Sequence, residues 1–201
     1  NSKPLVYLEG VAYDNVHGNA GQVILVKCKD MRVENFNLSE TSIGIQLCRT
    51  NNSIISANSI TNNYEGIELD HSSNNSLSGN TIADNTFGIY LAQSSDYNSI
   101  SKNSFIANDD GLRIDYSYND NIYGNNITDS FYGIETVCSS GNDICENNIY
   151  GNYKGMFLSS YNDRVFNNNI TDNYEGISLD GRGKIDISGN NITRNEGRGI
   201  M

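Results

Sequence analysis

The sequence predicts an all-β solenoid in which three short strands make each coil of about 22 residues. Three observations carry that prediction. A glycine returns at Gly44, Gly66, Gly88, Gly111, Gly133, Gly155, Gly176 and Gly199, in steps of 21 to 23 residues. Apolar residues follow it at alternate positions, as in Gly66-Ile67-Glu68-Leu69. Asparagine recurs at two fixed offsets in nearly every unit. A period of this length marks stacked units, none of which buries its apolar face alone.

Residues 1–40 read as irregular lead-in coils. Leu5 to Leu8 is a strand, His17 to Gly21 a turn and Val23 to Val26 a buried strand. Arg32 to Leu38 imitates the later elements. From residue 41 to 201 the repeats are regular, and their spacing decides strand against helix. Side chains at i and i+2 line one face of a strand, whereas a helical stripe needs i, i+3 and i+4.

The first strand of each coil supplies two inward columns. One reads Ile45, Ile67, Ile89, Leu112, Ile134, Met156, Ile177 and Ile200. The other reads Leu47, Leu69, Leu91, Ile114, Thr136, Leu158 and Leu179, with Thr136 its polar exception. Two shorter strands supply one column each: Ile55, Leu77, Ile100, Ile122, Ile144, Val165 and Ile187, then Ile60, Ile82, Phe105, Ile127, Ile149, Ile170 and Ile192. Asn and Gly interrupt the pattern and are poor helix-interior residues. No Asn-Gly dipeptide signals a two-residue hairpin.

Asparagine marks the corners. One column reads Asn58, Asn80, Asn103, Asn125, Asn147, Asn168 and Asn190. Five residues on, another reads Asn63, Asn85, Asn108, Ser130, Asn152, Asn173 and Asn195. Asn tolerates left-handed backbone, so these residues are expected at sharp corners. Stacked amides also hydrogen-bond as a ladder. One-residue length changes near Asn51, Ser94, Ser160 and Gly197 should fall at corners, and Gly181-Arg182-Gly183-Lys184 should form a bulge.

The units resemble the parallel β-helix repeats of NosD-like cell-surface proteins of the archaeal type. The likeness rests on Gly-Ile-x-Leu, on the Ser94-Ser95-Asp96-Tyr97-Asn98 turn, and on Ile-x-x-Asn-x-Ile-x-x-Asn. It extends to Lys3-Pro4-Leu5-Val6-Tyr7 and to the stretch from Ala20 to Cys28, so it covers nearly the whole chain. The resemblance implies a right-handed parallel β-helix with three parallel sheets, and right-handed crossovers are the general preference. With strands about 4.8 Å apart, roughly nine coils would make a rod of about 43 Å. Lyases, epimerases, copper-site maturation proteins and structural fibres all use such repeats, so the fold does not choose a function.

Composition narrows the setting. The net charge of −11 disfavours nucleic acid and anionic lipid as partners. No apolar run is long enough to span a membrane. The chain reads as one domain over 1–201 and as a section of a longer protein, since it starts without Met and stops just after a new Gly199-Ile200. Four cysteines, Cys28 near Cys48 and Cys138 near Cys145, are expected as two disulfides in an oxidising, extracellular compartment. Six glycosylation sequons begin at Asn37, Asn51, Asn74, Asn126, Asn169 and Asn191.

Candidate site residues form an aromatic and acidic band before the repeat glycine, Phe131 included, and the outward residue of the following strand adds Glu68, Tyr90, Arg113, Glu135 and Phe157. Tyr64, Glu65, Phe87, Asp110, Tyr132, Tyr153 and Tyr174 are the expected glycan contacts, by ring stacking and hydrogen bonding. The same band is also consistent with outer aromatic packing or a protein contact. Asp109, Asp110 and Asp115 are a candidate Ca²⁺ contact through oxygen ligands. Asp109 and Asp110 resemble the adjacent acids of polygalacturonases, but no Gly-His-Gly, Arg-Ile-Lys or Asp-Pro-His motif completes a catalytic set. Copper is disfavoured because His17 and His71 are far apart and Met31, Met156 and Met201 are scattered.

The expected function is a non-catalytic extracellular module, structural or adhesive, with no cofactor. Its expected partners are other cell-surface proteins, further copies of itself, or polysaccharide. The alternatives are a polysaccharide lyase, hydrolase or epimerase, and a self-assembling fibre or sheath subunit whose uncapped ends stack.

Overall fold

Each apolar column of the sequence becomes a vertical row of stacked side chains. The structure, a computed structural model, describes residues 2–180 and 183–201, and every regular element among them is a strand. The strands wind into a right-handed parallel β-solenoid with sheets of ten, nine and eight strands. Sheet one runs from Leu5–Glu9 to Arg198–Ile200, sheet two from Asn15–Val16 to Asp186–Ser188, and sheet three from Asn37–Ser39 to Asn191–Thr193. About eight turns are complete, and residues 22–39 already make a full coil in register with the next.

Register is set by the columns. In sheet one Ile45, Ile67, Ile89, Leu112, Ile134, Met156 and Ile177 lie directly over one another. These residues are fully buried, as are the stacked rows through Leu77 and Ile82 up to Val165 and Ile170, while their last members Ile187 and Ile192 are partly buried. Thr136 keeps its inward place because its hydroxyl donates to Ser160 Oγ at 3.0 Å, and that hydroxyl donates in turn to Asp163 at 2.5 Å.

The repeat glycine is required by close approach. A Cβ on Gly66 would lie 2.4 Å from the carbonyl oxygen of Gly88, and one on Gly88 equally close to that of Gly111. Backbone sits where a side chain would go, so only glycine fits the column.

The asparagine columns are ladders. Asn80 Oδ1 accepts from Asn58 N at 3.0 Å and Asn58 Nδ2 at 2.9 Å, and Asn80 Nδ2 then donates to Asn103 Oδ1 at 2.9 Å. The same pattern continues through Asn125, Asn147, Asn168 and Asn190. The corner geometry differs from expectation by one residue. Positive φ falls just before each ladder asparagine, at Ala57, Gly79, Lys102, Gly124, Glu146, Asn167 and Gly189. The asparagine must aim its amide inward, so its neighbour makes the left-handed turn.

The expected disulfides do not form; all four cysteines are free thiols. Register explains it. Cys48 pairs with Val26 and Asp70, so Cys28 lies two residues farther along the coil. Cys28 sits in a row of hydroxyl residues, where its amide donates to Thr50 Oγ1 at 3.1 Å. Its thiol donates to the carbonyls of Leu8 and Val26, as Ser72 donates to those of Leu47 and Asp70. Cys28 therefore acts as a serine equivalent. Cys138 is exposed with φ of 51°, while Cys145 lies between Tyr123 and Phe166 on sheet two. Of the expected bulge, Gly181 and Arg182 lie outside the described residues.

Candidate functional site

Sheet one presents inward columns and two outward ones that stand three residues apart, because alternation breaks at the repeat glycine between them. The first outward column reads Ile43, Glu65, Phe87, Asp110, Tyr132, Lys154 and Glu175. The second reads Gln46, Glu68, Tyr90, Arg113, Glu135 and Phe157. At the corner just before this sheet, Phe131, Tyr153 and Tyr174 form a third row.

Arg113 organises the middle of this face. Its guanidinium meets Asp115 at 3.0 Å, Asp110 at 3.3 Å, and Glu135 on the next coil. It also lies 5.6 Å from the centre of the Phe87 ring. Tyr90 donates its hydroxyl to Asp115 Oδ2 at 3.2 Å. Three carboxyl groups thus share one cation in a partly desolvated setting. Burial, then the neighbouring Asp110, pushes Glu135 up to about 7. Burial also raises Asp110, and with the nearby Glu68 it carries Glu65 up to about 7. Tyr90 is pushed up to about 12 by burial and by Asp115. A carboxyl that titrates near neutrality can exchange protons at working pH.

Aromatic side chains flank the charged centre on both sides. Toward the N-terminal coils, Tyr64 meets Phe87 edge-on at 5.6 Å, and Phe87 stacks on Tyr90 at 5.5 Å. Toward the C-terminal coils, Phe131 stacks on Tyr153 at 4.8 Å and Tyr153 on Tyr174 at 5.0 Å. These three rings are 43 to 50% exposed. Lys154 lies 5.2 Å from the Phe157 ring and pairs with Glu175 at 3.1 Å.

The expected contact residues therefore separate into two rows. Glu65, Phe87, Asp110 and Tyr132 share one outward column, while Tyr153 and Tyr174 stand at the corner with Phe131, and Tyr64 stands apart near Phe87. The Ca²⁺ candidates do not assemble: Asp109 is exposed, and Arg113 lies between Asp110 and Asp115. Among the described residues no group of three His, Cys, Asp or Glu is placed to hold a metal ion. Phe131 and the outward column of Glu68, Tyr90, Arg113, Glu135 and Phe157 belong to the band read from the sequence; the structure adds the stacking of Phe131 on Tyr153 and the pairing of Arg113 with Glu135.

Residues 6–115 match the family described as periplasmic copper-binding protein (NosD), and residues 88–201 match the right handed beta helix region. The chain belongs to the NosD-like right-handed β-helix family. No curated protein matches it. Among solved structures it is similar to the A-module of mannuronan C-5 epimerase AlgE4 from Azotobacter vinelandii, at 14% identity and a TM-score of 0.73. That match covers 89% of this chain and 62% of the epimerase module. It is also similar to a double mutant of the periplasmic alginate epimerase AlgG, at 17% identity and a TM-score of 0.66, covering 85% of this chain and 51% of that one. An alginate lyase from Paenibacillus sp. str. FPU-7 shares 14% identity with a TM-score of 0.50, over 100% of this chain and 92% of the lyase. At these identities the likeness is one of fold.

The residues of this NosD-like chain do not fit a copper centre. Met31 and Met156 are fully buried core residues, Cys28 is spent in the hydroxyl row, and His71 faces Asp70 at 2.8 Å. No three His, Cys, Asp or Glu side chains gather to hold a metal ion among the described residues. Those residues also contain no helix long and apolar enough to cross a membrane.

Proposed function

We infer that this protein is a non-catalytic, extracytoplasmic β-helix module that holds a glycan chain against the outer face of sheet one. The observation that carries this reading is the open stack of Phe131, Tyr153 and Tyr174 beside Tyr132 and the Lys154–Glu175 pair of the adjoining outward column. Sugar rings offer C–H faces to aromatic rings and hydroxyls to carboxylates. The polymer that fits best is neutral, since carboxylates outnumber cations around Arg113 and the chain carries −11. The names of the similar structures, two epimerases and a lyase of alginate or mannuronan, support a polysaccharide partner. The periplasmic descriptions support a setting outside the cytoplasm, where the module would serve a structural or adhesive surface role.

A second reading has its own observation. Glu65 and Glu135, both raised to about 7, suit a polysaccharide-modifying enzyme that moves a proton. One experiment separates the two. The protein is run through gels holding neutral or uronate polysaccharides, and the same mixtures are checked by NMR for new ends or inverted sugars. Retardation by a neutral polymer without turnover is expected, weakened about tenfold or more by Tyr153→Ala, as for a buried aromatic anchor. Turnover that Glu135→Gln abolishes would establish the enzyme instead. Indifference to every polymer would rule out both.

A further inference from the structure

Sheet two turns a different surface to solvent. The third, outward residue of its last four strands reads Tyr123, Cys145, Phe166 and Ser188. The Phe166 ring is thus followed, one coil on, by a small hydroxyl residue, and next to that stands Gly189 with a φ of 65° and no side chain. The result is an open cleft of about 410 Å³ lined by Arg164, Phe166, Asn167, Asp186, Ser188 and Gly189. Polar groups converge on it. Arg164 gives Nε and Nη2 to the two oxygens of Asp143, the first at 2.6 Å, and its guanidinium lies 5.8 Å from the centre of the Phe166 ring. Among the described residues nothing accepts from Nη1, and the side chains of Asp186, Ser188 and Asn167 have no hydrogen-bond partner. One aromatic face is therefore ringed by a cationic donor, a carboxylate, a hydroxyl and an amide, none of them used up within the protein.

We propose that this cleft binds a neutral sugar residue, its C–H face on Phe166 and its hydroxyls shared between Arg164 and Asp186. Shape selects a ring. The cleft lies at the small end of ligand sites, and its flat wall is an aromatic face that takes C–H groups. Hydrogen bonding selects a polyol. The free groups are both donors and acceptors, a set that neighbouring hydroxyls satisfy because each hydroxyl is both. An anion would meet the Asp186 carboxylate, and an apolar ring would leave Arg164 and Asp186 desolvated without partners. Charge selects a neutral sugar. An adjoining cleft of about 170 Å³ shares Arg164 and Asp186 and reaches Asn162 and Lys184. The outward cations Arg164 and Lys184 are thus balanced by Asp143 and Asp186, in a chain that carries −11. The two clefts lie end to end along the strands, so a second sugar unit fits beside the first and the glycan runs across the solenoid axis. This site rests on its own residues and not on those of sheet one. A module that used both sheets would tie two glycan chains together.

NMR titration of the isotope-labelled chain tests this, with the methyl glycosides of glucose, galactose, mannose and glucuronic acid as probes. At least one neutral glycoside at millimolar concentration is expected to shift the amide signals of Phe166, Ser188 and Gly189, and the glucuronide to shift them less. A neutral disaccharide should extend the shifts to Asn162 and Lys184. Phe166→Ala and Asp186→Ala, both at outward positions, should each weaken binding about tenfold with the melting temperature unchanged. Phe166→Tyr should keep the affinity, and so should Tyr153→Ala, which alters only the ring stack on sheet one. No shift at these residues with any neutral glycoside overturns the proposal, as does a response that Phe166→Ala leaves intact or one stronger for the glucuronide. Shifts confined to Tyr153 and Tyr174 would place the sugar on sheet one alone and leave the cleft without a ligand.

Discussion

At Asp120 a carboxylic acid stands where the residues on the coils before and after, Asn98 and Asn142, are asparagines. Its Oδ1 accepts from Asn98 N at 2.7 Å, but Oδ2 is buried with no donor. Burial, the largest cause, therefore holds the acid protonated far above the usual carboxylate range. The linkage sign follows. Between the unfolded pKa near 4 and the raised folded one, the native state binds the extra proton, so stability falls as pH rises through that window. Asp120→Asn keeps the acceptor and supplies an amide donor in place of the bare oxygen. The expected result is a higher melting temperature at pH 7, by roughly 2–4 °C for each kcal/mol recovered, with little change near pH 4. Calorimetry at the two pH values checks it, and an equal effect at both would refute the protonation argument. The repeat glycine obeys a different constraint at the same scale: its column is closed to any Cβ by the carbonyl of the next coil.

The ladder is the element that joins one coil to the next. Asn103 Oδ1 accepts two bonds from Asn80, at 2.9 Å each, and its own amide donates to Leu77 O and Asn125 Oδ1. Asn103→Ala leaves two buried donors on Asn80 without an acceptor, each costing about 1–3 kcal/mol. A loss of about 3 kcal/mol or more in urea unfolding is expected, against near neutrality for Ala at the exposed strand residue Asn121. This ladder was legible in the sequence because it keeps one residue type for seven coils. The rows it runs beside were less so. The hydroxyl row mixes Cys28, Thr50, Ser72, Ser95, Ser117 and Ser139, which share a hydrogen-bond pattern and not an identity. The row through Ser53, Asn75, Asn98, Asp120, Asn142 and Asp163 mixes hydroxyl, amide and acid in the same way. Cysteine in such a row reads as a disulfide partner until the register puts it beside Thr50. The ion cluster was legible only in part: the coil length puts Arg113 and Glu135 in one outward column, but Asp110 and Asp115 converge on the same guanidinium only in three dimensions.

Across the whole molecule the raised acids and the net charge act in one direction. Glu65 and Glu135 titrate near 7 in the fold, and burial raises Asp110, Asp120 and Asp163 as well. Each holds a proton that the unfolded chain has lost above about pH 4, so each makes stability decline as pH climbs toward 7. Self-repulsion of a chain at −11 adds to the same decline. The two contributions separate by salt, because screening within about 10 Å at 0.1 M relieves exposed charges and barely reaches buried ones. Melting should therefore occur at higher temperature at pH 5 than at pH 8 in low salt, and 0.5 M salt should close only part of the gap. The residual gap should shrink further in the Glu135→Gln variant and in Asp120→Asn. A melting temperature that rises from pH 5 to pH 8 would mean that these carboxyl groups are ionised in the fold. The solenoid would then owe its stability to the Arg113 ion pairs, not to protonated acids inside its rows.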